Sequence, residues 1–417
     1  MTSRIIFSLD VGSSKIVSMA GTIGGDQVEI QGISSYYFTN NSKVNDFLSV
    51  TTGVICNLES VGVKVTQVLN EARINADCSV GGVIANIAGN HVCNVYSSNS
   101  IELNNQAVSG EVMQQLINNA RPLNIPPHYE ILDYEVQEYL LDQENYAINP
   151  IHLTANTIES NINFFMGSST QVANLKKVVR YSGFSLARLI PSGILSGMAV
   201  LNNEEKELGC CLVDIGAGTT DIVVYENGFI RYLCSVPIGG ENITRDIASV
   251  LKISRNLAED IKLNYGGCSY TSSQHKFGEG VTLTDHRGIN TTISRKLLID
   301  VINERLKDIF EVIKTGLVKQ KIYDIINSGL VITGGTALMP NLEDFAKHYF
   351  AMPVRIGVPN YTGDFADLVT TPKYATGLGA LYFANEYMMD EINGPGARGQ
   401  GVDLKLLMNK LKGLFSR

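Results

Sequence analysis

No apolar run in this 417-residue chain is long enough to span a bilayer, and no charged-then-apolar leader opens it. The expectation is a protein that works inside the cell. Cysteine is sparse: seven residues, an odd number, with no Cys-x-x-Cys pair and no Cys/His spacing of a metal site. That argues against a disulfide framework or a zinc module. Cys210 and Cys211, adjacent within an apolar stretch, read as reduced core thiols. Positive charge is also short, with 33 Lys and Arg against 41 Asp and Glu. The net charge of −8 argues against general nucleic-acid binding, so any basic surface has to be local. What is present is ordinary for a folded chain, 44% hydrophobic and 18% charged. The length exceeds what one hydrophobic core usually organises, so at least two domains are expected.

The stretch Asp214-Ile215-Gly216-Ala217-Gly218-Thr219-Thr220-Asp221 organises the rest. The apolar run Gly209 to Val213 leads in and Ile222 to Tyr225 leads out, so the motif bends a β-hairpin. Two glycines allow left-handed angles and close approach to a ligand. Backbone amides and the Thr219 and Thr220 hydroxyls suit an anion, and Asp214 supplies a hard carboxylate suited to hydrated Mg²⁺. Alone this is also the pattern of an ordinary Gly-Thr hairpin. The N-terminus repeats it: the strand Ile5 to Leu9, then Asp10-Val11-Gly12-Ser13-Ser14-Lys15, then Ile16 to Ala20. Two such hairpins, far apart in sequence, look like two halves of a clamp on one phosphate chain.

In chain order, Gln27 to Tyr37 continues the first sheet, Asn40 to Asp46 is loop, Leu58 to Ala76 is helix and Val83 to Ala88 a further strand. From about Gly89 to Phe165 a small α/β insertion is expected. It has short polar strands at Val92 to Tyr96 and Ile101 to Leu103, a helix at Ser109 to Ala120, and strands around Tyr129 to Leu141 and Thr154 to Phe165. Val172 to Tyr181 is helical, Ser185 to Pro191 a strand, Ser192 to Leu201 a helix and Asn202 to Glu207 a charged loop. After the second hairpin, Gly239 and Gly240 turn into a helix over Ile243 to Leu251, and Glu259 and Lys262 sit one turn apart on the helix Arg255 to Tyr265. As plain structure that pair is a surface ion pair worth a few tenths of a kcal/mol. One long helix or a helix pair spans Ser294 to Ile326, with Leu297, Leu298, Val301, Leu306, Ile309, Phe310 and Ile313 inward. The buried strand Gly329 to Ile332 ends in Thr333-Gly334-Gly335-Thr336, followed by a helix over Leu338 to Tyr349. A glycine pair between strand and helix again suits close backbone approach to a nucleotide. Lys373 to Met388 is an apolar closing helix.

The end of the chain reverses the overall charge. Asn393 to Gly401 holds four glycines and a proline and reads as a flexible linker. From Val402 to Arg417, the residues Leu404, Leu407, Met408, Leu411, Leu414 and Phe415 share one helical face. Lys405, Lys410, Lys412 and Arg417 oppose only Asp403. Such a helix, about 24 Å long, is too short and too charged to span a bilayer. It suits lying in the interface of an anionic membrane; a terminal helix packed on its own domain is the plainer alternative.

Three Gly-rich turns in this order and spacing resemble the phosphate-1, phosphate-2 and adenosine motifs of the actin/sugar-kinase/heat-shock-70 fold. Gly239-Gly240 followed by Glu259-x-x-Lys262 resembles that fold's ribose- and adenine-contacting helix. With the insertion, the Leu338-Met339-Pro340-Asn341-Leu342 run and the tail, the chain resembles the FtsA family of bacterial cell-division actin homologues over nearly its full length. The resemblance implies an α/β, actin-like two-lobed ATPase fold of duplicated ribonuclease-H-like domains. Subdomain 1A would be 1–88 and 166–208, the inserted 1C 89–165, 2A 209–243 and 328–392, and 2B 244–327. The linker would be 393–401 and the membrane-targeting amphipathic helix 402–417. It further implies ATP and Mg²⁺ as cofactors. Gly12, Ser13, Ser14, Lys15, Gly216, Gly218, Thr219 and Thr220 would hold the β/γ-phosphates, and Asp10 and Asp214 the Mg²⁺ through water. Gly239, Gly240, Glu259, Lys262, Gly334, Gly335 and Thr336 would frame the adenosine, while Asp221 would tighten its hairpin.

The same resemblance implies partners: the C-terminal peptide of the tubulin-like ring protein FtsZ on 2B, with Arg295 and Arg305 as anionic-peptide contacts. It implies further copies of the chain in a filament, other division proteins and an anionic membrane at the cytoplasmic face, and no nucleic acid. One departure matters. Heat-shock-70 and bacterial actin relatives carry Glu before the proline that enters phosphate-2, where this chain has Leu189-Ile190-Pro191. Isoleucine cannot orient an attacking water, so ATP binding is expected and efficient hydrolysis is not. A small-molecule kinase of the same fold would need a carboxylate base beside an acceptor hydroxyl, which no motif announces. A chaperone would need a peptide-binding domain beyond residue 388. A pilus-assembly actin homologue shares the insertion and motifs, and the basic amphipathic tail favours division over it.

Overall fold

The computed structural model describes residues 4–24, 27–38, 49–147, 149–269, 281–284 and 290–387. The loop expected at Asn40 to Asp46, residues 270–280, and the whole linker and amphipathic tail, Leu404 to Arg417 included, lie outside the described residues.

The first half carries β1 (Arg4–Val11), β2 (Lys15–Ile23), β3 (Glu29–Tyr37), the small pair β4 (Val50–Thr51) and β5 (Val54–Ile55), α1 (Leu58–Asn75) and β6 (Gly82–Ile87). There follow β7 (Cys93–Ala107), α2 (Gly110–Asn119), β8 (Tyr129–Leu141), β9 (Asn145–Ala147) and β10 (Thr154–Ser168). The chain then forms α3 (Ser169–Tyr181), β11 (Ser185–Pro191), α4 (Ser192–Val200) and α5 (Asn203–Leu208). The second half has β12 (Cys210–Ile215), β13 (Thr220–Glu226), β14 (Phe229–Val236), α6 (Gly240–Leu251), α7 (Arg255–Tyr265), β15 (Val281–Thr284) and β16 (Asn290–Ile293). It closes with α8 (Arg295–Lys319), β17 (Leu330–Thr333), α9 (Leu342–Phe350), β18 (Val354–Ile356), α10 (Ala366–Val369) and α11 (Ala375–Tyr387).

One plan is built twice. The first sheet runs β11-β6-β1-β2-β3, and the second begins β18-β17-β12-β13-β14. In each, three parallel strands lead to an antiparallel meander. The parallel strands are buried on both faces: Ile6 to Val11 and Cys210 to Ile215 are solvent-excluded throughout, so these strands read as near-continuous apolar runs. The first lobe packs α1, α3, α4 and α11 around its sheet, and the second packs α6 to α9 around the other. Helices α4 and α11 cross so tightly that a Cβ on Gly379 would lie 1.8 Å from the Leu195 carbonyl.

The inserted segment has its own small cores, where α2 covers one face of its strands. It is not a separate sheet, however. Strand β7 pairs with β14 through Cys93 and Cys234, so the second sheet continues β14-β7-β10-β8-β9. Side chains lace this junction. The Ile230 carbonyl accepts from Tyr96, Gln137 and Asn163, the Ile230 N–H donates to Glu135, and the Leu233 N–H donates to Asn94.

Several local expectations shift. The two short polar strands are one strand, β7, whose Ser/Asn-rich exposed positions dilute the apolar signal. The charged loop at Asn202 is helix α5, because Asn202 and Glu205 form a reciprocal capping box. Ser294 caps a single continuous α8 whose buried stripe includes Leu298, Ile302, Leu306, Ile309, Phe310 and Ile313; Leu297 faces out, 42% exposed. The helix expected from Leu338 is a short 3-10 turn, Gly335–Leu338, and then α9, since Pro340 cannot continue the first.

Candidate functional site

The two hairpins close with the same turn. The Gly12 N–H donates to the Lys15 carbonyl and the Gly216 N–H to the Thr219 carbonyl, both at 2.9 Å. Their tips meet: a Cβ on Gly218 would stand 2.5 Å from Ser13 Oγ and 3.0 Å from the Thr52 nitrogen, which is why a glycine occupies the position.

Each tip follows a buried aspartate. Asp10 Oδ2 accepts from Lys15 Nζ and its Oδ1 from Asn86 Nδ2, each at 2.9 Å. Asp214 Oδ2 accepts from the Ser196 hydroxyl at 2.5 Å, with the Thr376 hydroxyl at 3.3 Å. Burial, opposed by the Ser196 bond and reinforced by the charge of Asp10, pushes Asp214 up to about 6. Burial and the neighbouring Asp214 push Asp221 up to about 8, so it holds a proton at neutral pH. Its hydrogen bonds go to Ser235 on the neighbouring strand β14 and to Thr219 in the turn. Thr220 is buried, and its hydroxyl donates to the Ile238 carbonyl at 2.8 Å, an internal bond that ties the hairpin to the following turn.

The third glycine turn has two unlike members. Gly334 has φ +87°, and a Cβ there would lie 2.3 Å from Asp214 Oδ1; a Cβ on Gly335 would meet nothing within 4 Å. The Thr336 hydroxyl reaches the Gly216 carbonyl at 3.3 Å. Gly239 and Gly240 let the start of α6 press on the second hairpin: the Gly240 and Glu241 N–H groups donate to the Gly216 and Ala217 carbonyls at 2.9 and 2.8 Å. Those two amides thus close the hairpin. Lys262 Nζ is nearly buried, donating to the Gly240 carbonyl at 3.2 Å and the Thr244 hydroxyl at 2.9 Å, and it pairs with Glu259 at 2.7 Å. The pair therefore ties α7 to α6 and is more than a solvated surface bridge.

A cavity of about 440 Å³ lies against these elements. Of the residues singled out in the sequence, Ser13, Ser14, Gly218, Glu259 and Lys262 line it, together with Thr51, Thr52, Glu241, Asn242, Arg245 and Arg255, which sequence reasoning did not single out. Arg255 grips the Glu241 carboxylate, and Arg245 reaches it at 3.4 Å. Gly12, Lys15, Gly216, Thr219, Thr220, Gly239 and Gly240 lie outside the lining, as do Asp10, Asp214 and residues 334–336, though the last three groups are joined to the hairpins by the bonds above. Asn86, Ser196 and Thr376 were also missed; an Asn inside the apolar run Val83 to Ile87 was the available signal. Arg295 begins α8, and Arg305 stands ten residues on, where its guanidinium is held by Asp246 at 2.5 and 3.1 Å and by Asp308 at 3.2 Å. Much of its donor capacity is thereby spent within the chain.

The duplicated sheets, with an aspartate hairpin on each side of one cleft, define the actin-like fold. Solved structures agree. The chain resembles a PilM–PilN type IV pilus biogenesis complex, with TM-score 0.62 and 14% identity over 91% of this chain and 98% of that one. It also resembles MreB5 of Spiroplasma citri bound to AMPPNP, with TM-score 0.57 and 14% identity over 94% and 99%. In sequence, the family model for "Cell division protein FtsA" matches residues 211–379, and that for the "SHS2 domain inserted in FTSA" matches residues 89–165. The "Cell division protein FtsA" of Neisseria meningitidis serogroup B is 32% identical over 91% of this chain and 90% of its own length. That of Pseudomonas aeruginosa is 30% identical over 93% and 91%, and that of Escherichia coli K12 is 28% identical over 92% and 91%. The chain belongs to the FtsA family of cell-division proteins.

Proposed function

We propose that this chain binds ATP in the cleft, self-associates into filaments and tethers the FtsZ ring to the inner face of the cytoplasmic membrane, recruiting later division proteins. The observation that carries the ATP reading is the pair of matched hairpin turns meeting beside a cavity lined by Ser13, Ser14, Glu259 and Lys262. Ser13, Ser14, Lys15 and Gly218 would receive the phosphates, and Glu259 and Lys262 the ribose end. Gly335 leaves room for the base. The MreB5 structure, bound to a nucleotide analogue, is in line with this.

Magnesium fits the aspartates. Asp10 and Asp214 are buried hard-oxygen donors whose charges oppose one another, a repulsion that a divalent cation relieves. Among the described residues no group of three His, Cys, Asp or Glu side chains converges. The ion would thus rest on these two carboxylates through its own waters and on the phosphates, neutralising their charge. Ile190 is 1% exposed and registers with Asn86 across β11 and β6, so no carboxylate stands there to align water. Turnover is therefore slow, and nucleotide acts mainly by ordering the cleft.

No described helix is long and apolar enough to cross a membrane. Attachment falls to the tail from Leu404 to Arg417, through the segment 393–401. The subdomain division given above applies, with 2B receiving the FtsZ peptide near Arg295 and the insert supplying one side of the filament contact. Pelleting with ATP and anionic vesicles, with electron microscopy on a lipid monolayer, tests the reading. ATP-dependent filaments on lipid are expected. A soluble protein that phosphorylates a small molecule in a parallel kinase screen would replace it with the kinase reading.

A further inference from the structure

Helix α4 is apolar and buried, with Ile194, Leu195, Ala199 and Val200 in the core, yet it carries two buried serines, Ser192 and Ser196. Being four apart, they lie one turn from each other on the same face. Each leads to a different aspartate. Ser192 Oγ accepts from Asn86 Nδ2 at 3.0 Å and donates to the Ile87 carbonyl at 3.2 Å. The same amide donates its other hydrogen to Asp10 at 2.9 Å, and its oxygen accepts the Val11 N–H at 2.7 Å. Both hydrogens of the Asn86 amide are thus used, which fixes its flip and rotamer. One turn on, Ser196 gives its single hydroxyl hydrogen to Asp214 at 2.5 Å. The Thr376 hydroxyl of α11 stands 2.9 Å from Ser196 Oγ and 3.3 Å from Asp214 Oδ2, so its single hydrogen is shared between the two.

We infer that α4 sets the spacing of the two aspartates, with Ser192 and Ser196 as positioning residues for the hydrated divalent cation between the hairpins. A helix holds residues four apart at a fixed rise of about 6 Å, so one rigid element registers both carboxylates. This rests on the nucleotide and magnesium reading proposed above. If the serines served only the tight crossing of α4 and α11, alanine would serve as well, since the contact at Gly379 involves a backbone carbonyl. The two roles separate through magnesium.

The test titrates the full chain with a fluorescent ATP analogue, with excess Mg²⁺ and with EDTA, and reads the ratio of the two affinities. Thermal melting checks the fold. Ser196→Ala is expected to reduce the ratio about tenfold, the size of one hydrogen bond to a charged group. Ser192→Ala, acting through Asn86, should reduce it less, and Ser196→Thr should restore it. Thr376→Val provides a second lesion should the alanine variant melt early, with a reduction of about threefold expected from a neutral hydrogen bond. An unchanged ratio in folded Ser196→Ala or Thr376→Val overturns the positioning role while leaving the nucleotide reading in place. A wild-type chain that binds ATP equally with and without Mg²⁺ overturns both this role and the magnesium assignment. No ATP binding at all overturns the nucleotide reading and this role with it.

Discussion

Replacing Gly335 with leucine separates binding from folding. Gly335 opens the 3-10 turn between β17 and α9; its φ is not positive, and an added Cβ would meet nothing within 4 Å. The free protein should accept the side chain at the cost of an ordinary surface change, within about 0.5 kcal/mol. With nucleotide bound, the same side chain competes with the base. Overpacking costs about 1–3 kcal/mol, so ATP affinity should fall about 5- to 150-fold. Its neighbour provides the contrast. Gly334 has φ +87°, and a Cβ there would overlap Asp214 Oδ1 at 2.3 Å and the Ile215 carbonyl at 2.6 Å. With ψ 173°, Gly334 occupies a backbone region essentially reserved for glycine, so Gly334→Ala carries strain of about 1–3 kcal/mol plus that overlap, and should lower the melting temperature as well as binding. Fluorescent-ATP titration beside a melting curve reads both. Unchanged affinity in a folded Gly335→Leu protein would refute the placement of the base at 334–336.

Three further outcomes are expected. With Ile190 where a carboxylate would be needed, phosphate release should be far below the 1–100 s⁻¹ typical of kinases; a rate inside that range counts against the assembly-only role of ATP. Asp214 and Asp221 are raised by burial to about 6 and about 8 from 3.8, so between these values and 3.8 the folded chain binds more protons than the unfolded one. That contribution is full below pH 3.8 and is lost as pH rises through 6 and then 8. The melting temperature should thus fall between pH 5 and about 8.5, and Asp221→Asn should flatten the upper part; a wild-type profile flat over that range contradicts the buried-acid assignment. Changing Leu411 and Phe415 together to Glu should release the protein from anionic vesicles with ATP affinity intact, and cosedimentation at the wild-type level would sink the tether.

Glycine and aspartate at fixed offsets made the hairpins legible, because few other residues permit a tight turn that ends a fully buried strand. Asp10-x-Gly12 and Asp214-x-Gly216 therefore announced the pairing of β1 with β2 and of β12 with β13. Local chemistry that competes with composition was harder. Asn202 to Glu207 looks like a polar loop until the reciprocal bonds of Asn202 and Glu205 are considered. Long-range partners left little trace. Nothing near Asn86 indicates that its amide ends on Asp10, 76 residues away, or that Ser196 reaches Asp214. Arg305 reads as a free cation because Asp246, 59 residues earlier, carries no pattern linking them. The meeting of β7 and β14 is of the same kind: Cys93 and Cys234 are far apart in sequence, and neither strand carries a pattern that names its partner.

That junction bears on how the insert can be tested. Strand β14 would be the outer strand of a five-stranded sheet if residues 89–165 were removed. Ile230 would then lose the three donors on its carbonyl and the acceptor on its N–H, and Leu233 would lose Asn94. An outer strand with unmet backbone groups recruits strands from other molecules. A chain shortened in this way would sediment through β14 alone, without nucleotide and without any filament contact of its own. Pelleting would then score aggregation as polymer, so the insert is better probed by surface substitutions that leave Tyr96, Glu135, Gln137 and Asn163 on β14.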